Sequence, residues 1–490
     1  MKPNILFIYT DEQRYDTLSC YGNDRLEMPN LNRFAESATV FEQTYVTQPV
    51  CTPSRSTLLT GLYPHTNGMT ENNNLLRDDI RCLPEMLPRG MYTCGHHGKW
   101  HLGNEIFAQH GFTDWIGIDD GYHKYYTDDK DPEARSSYHH WLRAQGVEPR
   151  ENNRFGRAEC TRLPEHLGKP AYLAGEACRF LQENKDNPFC LFVNFFEPHM
   201  PYFGPRDNQY NPDTFWPPEL WDDPPDESCH LKTRALRNAY AHKKYYDWIF
   251  DMTNEVDWKK LRANYMGLCS LVDTHAGTIL NCLNDLGLDE NTIVVYTSDH
   301  GDMMGDHQLM AKCVMYEQSS RVPLLIRMPG QNEQHRVKGP VSHIDLLPTL
   351  LDAMDVEAPS GLQGESLKDL LTGGTNERDV FIEWNGPNNG FGDVSGSVKL
   401  EESMLELATG DEIQAAMTDP VRTIVTPDNW KFNCSPLGMH ELYDLNSDPG
   451  ECRNLATDPE QKPRMNEYLS RIQRWQRMTG DTANVPDTIP

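Results

Sequence analysis

Four stretches of this chain, residues 4–9, 189–196, 292–297 and 322–328, are apolar almost without alternation. A strand with one face in water alternates apolar and polar residues, whereas a strand buried on both faces does not. Strands of the second kind belong to sheets covered by helices on both sides. Over 257–286 the apolar residues Leu261, Tyr265, Leu268, Val272, Ile279, Leu283 and Leu286 recur at steps of three, four or seven, one stripe of a long amphipathic helix. A long helix feeding a buried strand is half of a parallel crossover unit, so the pattern predicts an α/β fold with a mostly parallel central sheet.

Near residue 375 this texture gives way to Gly, Asn and short strand-like runs, among them 380–383 and 421–426. A chain of 490 residues can hold one oversized core and an appendage, so a main domain over 1–375 and a C-terminal subdomain over 376–490 are expected. Two regions, 118–167 and 201–251, break the rhythm and are rich in aromatics, proline and charge. Loops of that length inside a compact domain are usually functional, and both read as walls that shape a binding site.

Charge and composition exclude several roles. Lys and Arg number 45 against 73 Asp and Glu, a net charge of −28 whose field repels nucleic acid and acidic membranes. The longest apolar runs are far too short to span a bilayer. Residues 4–9 already read as a strand and no leader pattern precedes them, so a cytoplasmic home is expected, or a periplasmic or secreted one if a leader was removed. The 13 cysteines lack the spacing of a zinc site or a disulfide scaffold, as reduced thiols would.

The residues that carry chemistry cluster at predicted strand ends and one helix start. Cys51-Thr52-Pro53-Ser54-Arg55 opens a helix-forming segment that Gly61 stops, which places Cys51 at a helix N-terminus, where anions are favoured, with Arg55 one turn on. Asp11 and Glu12 follow the first strand; Asp299 and His300 follow the third, and Gly301 lets the backbone turn so that both can face one metal. In Gly98-Lys99-Trp100-His101-Leu102-Gly103, Lys99 and His101 share one side of an extended segment and can both reach an anion. His199 lies just past the strand at 189–196, Lys312 follows Asp299 by thirteen residues, and Asn72 is one of three adjacent asparagines.

Cys51-x-Pro-x-Arg with its downstream Thr60-Gly61, the Gly-Lys-Trp-His-Leu-Gly run and Thr-Ser-Asp299-His300-Gly resemble, in the same order, the signatures of the type I sulfatases. The resemblance implies an alkaline-phosphatase-like α/β/α sandwich with a small C-terminal α+β subdomain built on an antiparallel sheet. It implies hydrolysis of a sulfate ester by a formylglycine made from Cys51 by a maturation enzyme, and the aromatic-bearing insertions suggest a pocket for a sulfated saccharide as that ester. It implies one divalent metal, calcium by family habit with manganese or magnesium as alternatives, held by Asp11, Glu12, modified Cys51, Asp299 and His300; many relatives carry Asp where this chain has Glu12. Arg55, Lys99, His101, His199 and Lys312 are carried over as catalytic and Asn72 as substrate-binding. Lys99, Lys312 and Arg55 would meet the charge on the sulfuryl oxygens, His199 or Lys312 would protonate the leaving alkoxide, and His101 would act as the base that releases sulfate. The rival readings are a phosphonate monoester or phosphodiester hydrolase of the same superfamily, and a sulfated-glycan binder in which Cys51 is never oxidised.

Overall fold

The structure, a computed structural model, describes residues 2–150, 152–242, 244, 245, 250–386 and 400–489. Residues 151, 243 and 246–249, which fall in the two expected insertions, lie outside the described residues. In chain order the large sheet takes in β1 (Asn4–Asp11), β2 (Thr39–Tyr45), β3 (Thr93–Gly98), β4 (Asp114–Ile116), β5 (Phe189–Pro198), β6 (Thr292–Ser298), β7 (Leu324–Arg327), β8 (His335–Ser342) and β9 (Gly374–Thr375). Across the sheet they lie in the order β9-β8-β2-β7-β6-β1-β5-β3-β4, with the short Arg321–Val322 strand beside β2. Every neighbour in that order is parallel except β7, which runs against both β6 and β2. The stretch 322–328, expected as one strand, is divided at Pro323, whose nitrogen has no hydrogen to give to a ladder.

Alternate side chains of β1 feed two apolar layers. Leu6 and Ile8 join Leu173, Ala177 and Phe180 of one helix and Leu261, Val272 and Ile279 of another, while Ile5, Phe7 and Tyr9 pack on the opposite face with Leu58, Leu59, Leu346 and Leu350. The helices concerned are α1 (Cys51–Thr60), α2 (Lys169–Glu183) and α3 (Glu255–Asp285), to which α4 (Lys462–Thr479) is added at the C-terminus. α3 is the helix read from the periodicity; Asn254 caps it by accepting from the Asp257 amide, which sets its start. Phe7 is wholly buried, and Phe7→Ala would cost about 3–5 kcal/mol through lost burial and the cavity left behind.

A second sheet, β10 (Val380–Glu383), β11 (Arg422–Val425), β12 (Trp430–Cys434) and β13 (Glu441–Asp444), is antiparallel throughout. Val380, Ile382 and Val425 face Tyr45 and Val50 of the main body, and Ile424, Phe432 and Leu442 face Leu469 and Ile472 of α4. Buried Lys431 of β12 reaches Glu317 at 3.1 Å and Glu451 at 2.9 Å, so charge also ties the second sheet to the main body. The architecture is the α/β/α sandwich with an antiparallel appendage that the sequence resemblance implied. No helix among the described residues is long and apolar enough to cross a membrane, and all 13 cysteines are unpaired.

Candidate active site

Parallel strands share a carboxyl edge, so whatever follows them gathers on one side of the sheet. Four adjacent strands, β6, β1, β5 and β3, end there, and they deliver Asp299 and His300, Asp11 and Glu12, His199, and Lys99 respectively. α1 starts at the same edge. Its cap, Val50, is extended and offers no side-chain bond, Pro53 falls in its first turn, and Gly61 ends it with φ 65°. Cys51 therefore stands at the head of a helix whose first amide groups lack intrahelical partners; the Asn72 carbonyl oxygen accepts from the Thr52 amide at 3.0 Å.

The Cys51 sulfur is 3.2 Å from His300 Nε2 and 3.7 Å from Asp11 Oδ1. His300 Nε2 lies 3.9 Å from Asp11 Oδ1 and 3.7 Å from Asp299 Oδ1. Nδ1 of His300 donates to the Gly301 carbonyl at 2.9 Å, which leaves Nε2 bare and turned into the cluster, the tautomer a ligand needs. Arg55, fully buried, reaches Oδ2 of both Asp11 and Asp299 at 2.8 Å. Lys99 Nζ is 2.5 Å from Asp11 Oδ2.

These contacts divide the ionisation states. Burial pushes the Asp11 carboxyl up, but Lys99, His199 and Arg55 together outweigh it and hold Asp11 well below the usual carboxylate range. Asp299 moves the other way, raised by burial and by the facing Asp11. Burial and the Asp11 charge push the Cys51 thiol far up, so an unmodified Cys51 stays protonated and is a poor nucleophile. Two carboxylates converging on one point with a bare imidazole nitrogen is an arrangement that a cation would relieve.

Glu12 turns toward Lys312 and His199. Its carboxylate is taken up by Lys312 and lies 3.4 Å from His199 Nε2 and 3.3 Å from the Tyr202 hydroxyl. The quartet of possible ligand atoms closed by Asp11, Cys51, Asp299 and His300 omits it, and it enters a second quartet with Asp11, Cys51 and His199. His199 Nδ1 donates to the Met200 carbonyl at 2.5 Å, so its Nε2 accepts from Lys312 at 3.5 Å.

Cys51, Lys99, His101, His199, Lys312 and Asn72 line one open cavity of about 380 Å³. Arg55 does not; it lies behind the floor, against the carboxylates. His101 has φ 58°, so Lys99 and His101 reach the cavity from a turn and not from the extended segment expected. His101 Nε2 donates to Asn73 at 3.0 Å and its Nδ1 is buried without a partner, while burial and the Lys99 charge keep the ring well below its ordinary pKa. Gly301 was expected as a turn former, yet the need is space: a Cβ there would stand 2.0 Å from the Gln318 carbonyl oxygen.

The region 118–167 contributes Asp119, Tyr122, Lys124, Tyr125, Phe155 and Arg157 to the cavity wall. The region 201–251, expected to do the same, contributes none among the described residues. Trp221 instead packs on Trp216 and on Trp258 of α3, with ring centroids at 4.5 and 5.3 Å. The region's described tryptophans pack on the core and not on the wall.

A family model described as Sulfatase matches residues 3–356. This chain belongs to the sulfatase family. It is 30% identical over 474 residues to the uncharacterized sulfatase YidJ of Escherichia coli K12, covering 93% of this chain and 84% of the relative. It is 26% identical over 548 residues to the N-acetylglucosamine-6-O-sulfatase of Bacteroides thetaiotaomicron, covering 99% and 88%. The phosphonate monoester hydrolase of Agrobacterium radiobacter superposes with a TM-score of 0.74 at 24% identity over 97% of this chain and 96% of that one, a likeness of fold alone.

Within this sulfatase, sequence reasoning missed residues that line the cavity or hold its lining in place. Glu105 accepts from the Trp100 and His101 amides at 2.9 and 2.7 Å and so fixes the turn that carries Lys99 and His101. No local pattern marks it. Asn73 was passed over for its neighbour Asn72, although Asn73 is the one bonded to His101.

Proposed function

We propose that this sulfatase removes sulfate from a saccharide ester, with oxidised Cys51 as nucleophile beside one divalent cation held by Asp11, Asp299 and His300. The observation that carries the reading is the convergence of the Cys51 sulfur, two carboxylate oxygens and a bare imidazole nitrogen within 4.8 Å of one another at the head of α1. The donor set fits the cation the family uses. Its oxygens suit calcium and its nitrogen suits manganese at least as well. When bound, the cation would polarise the nucleophile's oxygen and offset charge on the sulfuryl group. Formylglycine, made from Cys51 by a maturation enzyme, would supply a hydrated aldehyde with one hydroxyl to attack sulfur and a second from which sulfate is expelled.

The remaining roles follow from placement. Lys99 and Lys312 both line the cavity and meet the sulfuryl oxygens. Lys312 holds the proton for the leaving alkoxide on Nζ, because burial lowers its pKa and because His199 faces it with a bare Nε2. His101 accepts a proton on its unpartnered Nδ1. Arg55 is a positioning residue that holds Asp11 and Asp299 toward Cys51, and Glu12 positions Lys312 and is not a metal ligand in this reading.

A saccharide is supported by the Tyr122, Tyr125 and Phe155 faces on the wall and by a relative that acts on N-acetylglucosamine 6-O-sulfate. The deciding experiment screens sulfated mono- and disaccharides, p-nitrophenyl sulfate and a phenylphosphonate ester with protein of confirmed formylglycine content. Turnover of a saccharide sulfate above the others is expected. Faster turnover of the phosphonate ester would give the site to the rival chemistry, and binding without any turnover would leave a glycan binder.

A further inference from the structure

Among the described residues, one group of metal-ligating side chains lies apart from Cys51. Cys82 precedes the short helix Leu83–Met86, Glu85 lies within that helix, and His110 comes from a turn a few residues beyond the segment that carries Lys99 and His101. The Cys82 sulfur, a Glu85 carboxylate oxygen and a ring nitrogen of His110 all lie within 4.8 Å of one another. Gly111 makes the approach possible: its φ is 80°, and a Cβ there would stand 2.9 Å from Glu85 Cγ. Cys82 and His110 are buried, whereas the Glu85 side chain keeps 31% of its exposure and leaves the group one side open to water.

Hydrogen bonding does not account for the grouping. His110 Nδ1 is 3.5 Å from Glu85 Oε2. That is longer than the roughly 2.7–3.2 Å of a hydrogen bond, and close to the roughly 3.3 Å that separates a nitrogen and an oxygen sharing one tetrahedral ion at about 2.0–2.1 Å. His110 Nε2 is buried without a partner, so the ring gains nothing there to offset its desolvation. The Cys82 amide donates to the same Glu85 oxygen at 2.9 Å, which holds the carboxylate beside the sulfur.

We infer that Cys82, Glu85 and His110 form a second cation site, for zinc or an ion of the same type, with water as the fourth ligand. Thiolate and imidazole are ligands that zinc takes readily and calcium poorly. Burial, and then the Glu85 charge, hold the free Cys82 thiol protonated. Binding therefore replaces a proton: the sulfur–metal bond forms, the thiol proton leaves to water, the Nδ1 lone pair and the carboxylate complete the protein's share, and nothing is oxidised or reduced. With three protein ligands the site fills when zinc is supplied and gives it up on dialysis, so metal that stays with the purified protein belongs to the Cys51 cluster. The His110 ring stacks on Trp100 with centroids at 5.9 Å, and Trp100 stands between Lys99 and His101 in the chain. An ion at His110 thus braces the catalytic turn from behind.

The test needs no turnover, so its outcome is independent of the sulfatase reading. Cobalt(II) is the probe, because a thiolate bound to it gives a charge-transfer band in the near ultraviolet. It is added to full-length Cys51→Ala protein, in which the catalytic cluster offers no sulfur. A thiolate–cobalt band that saturates at one equivalent and is displaced by zinc is expected. Cys82→Ser and His110→Ala, each made in that background, should weaken cobalt binding about a hundredfold, and Glu85→Gln about tenfold. Cys452→Ser, which removes an exposed thiol, should leave the band unchanged. Zinc should also raise the Tm of the Cys51→Ala protein and lose that effect in Glu85→Gln, whose half-exposed position keeps the fold if either buried variant does not. The absence of a band in folded Cys51→Ala protein, a band that survives Cys82→Ser, or equal affinity in Glu85→Gln overturns the inference.

Discussion

Arg55 is wholly buried between two carboxylates that both point toward Cys51, which fixes what its loss should do. Arg55→Ala would leave those carboxylates without their shared cation, a change of about 3–5 kcal/mol for a buried ion pair. Its Tm should fall, and added calcium or manganese should recover more of it than the same ion adds to the wild type; equal gains would remove Asp11 and Asp299 from the metal site. His300→Ala should abolish stoichiometric metal in the purified protein, read by elemental analysis, whereas the same change at exposed His140 should not. Cys51→Ser and Cys51→Ala should keep the fold and lose nearly all turnover, and full activity in either would sink the formylglycine reading. Removing Lys99, a charge donor within the cavity, should lower kcat/KM for every ester about a hundredfold. A defect confined to one ester would move Lys99 from the sulfuryl group to the sugar.

The strand ends were legible because a strand buried on both faces leaves an unbroken apolar run, and its first polar residues mark the carboxyl edge. Asp11, His199 and Asp299 were placed in this way, and the α1 start was placed by Pro53 and Gly61. Tertiary facts were less visible. That Gly301 gives way to the Gln318 carbonyl depends on a chain segment seventeen residues later, and Gly301→Ala should shift the Asp299-His300 pair and weaken metal binding without altering α3. Metal affinity equal to that of the wild type would show that the close approach is dispensable. Composition also misread one insertion, since tryptophan and proline suit a core packed on α3 as well as they suit a sugar-binding wall. Of the two regions, only 118–167 lines the cavity among the described residues, and nothing in its local sequence says so.

Across the whole molecule, buried histidines and buried carboxylates pull stability in opposite directions with pH. His343, fully buried, has its pKa pushed by burial from 6.5 down to about 3, so between those values the unfolded chain binds a proton that the folded chain does not. Its contribution is complete above pH 6.5 and is lost as pH falls toward 3, about 2 kcal/mol between pH 8 and 5. Glu105 and Glu197, raised to about 7 chiefly by burial, keep protons in the fold and lose stability as pH rises from 4.5 to 7. The wild-type profile is the balance of the two sets, and His343→Asn should show a smaller loss than the wild type when Tm is followed from pH 8 to 5. An identical loss would mean that His343 is protonated in the fold. The order of the large sheet has a consequence for biosynthesis. β1 lies between β5 and β6, whose paired residues begin at Cys190 and Thr292, so β1 is made about 185 residues ahead of its first partner and about 290 ahead of its second. At roughly 5–20 residues per second that leaves Ile5 to Tyr9 without a strand partner for about 10–40 s, long enough for a nascent-chain chaperone to be their first binding partner.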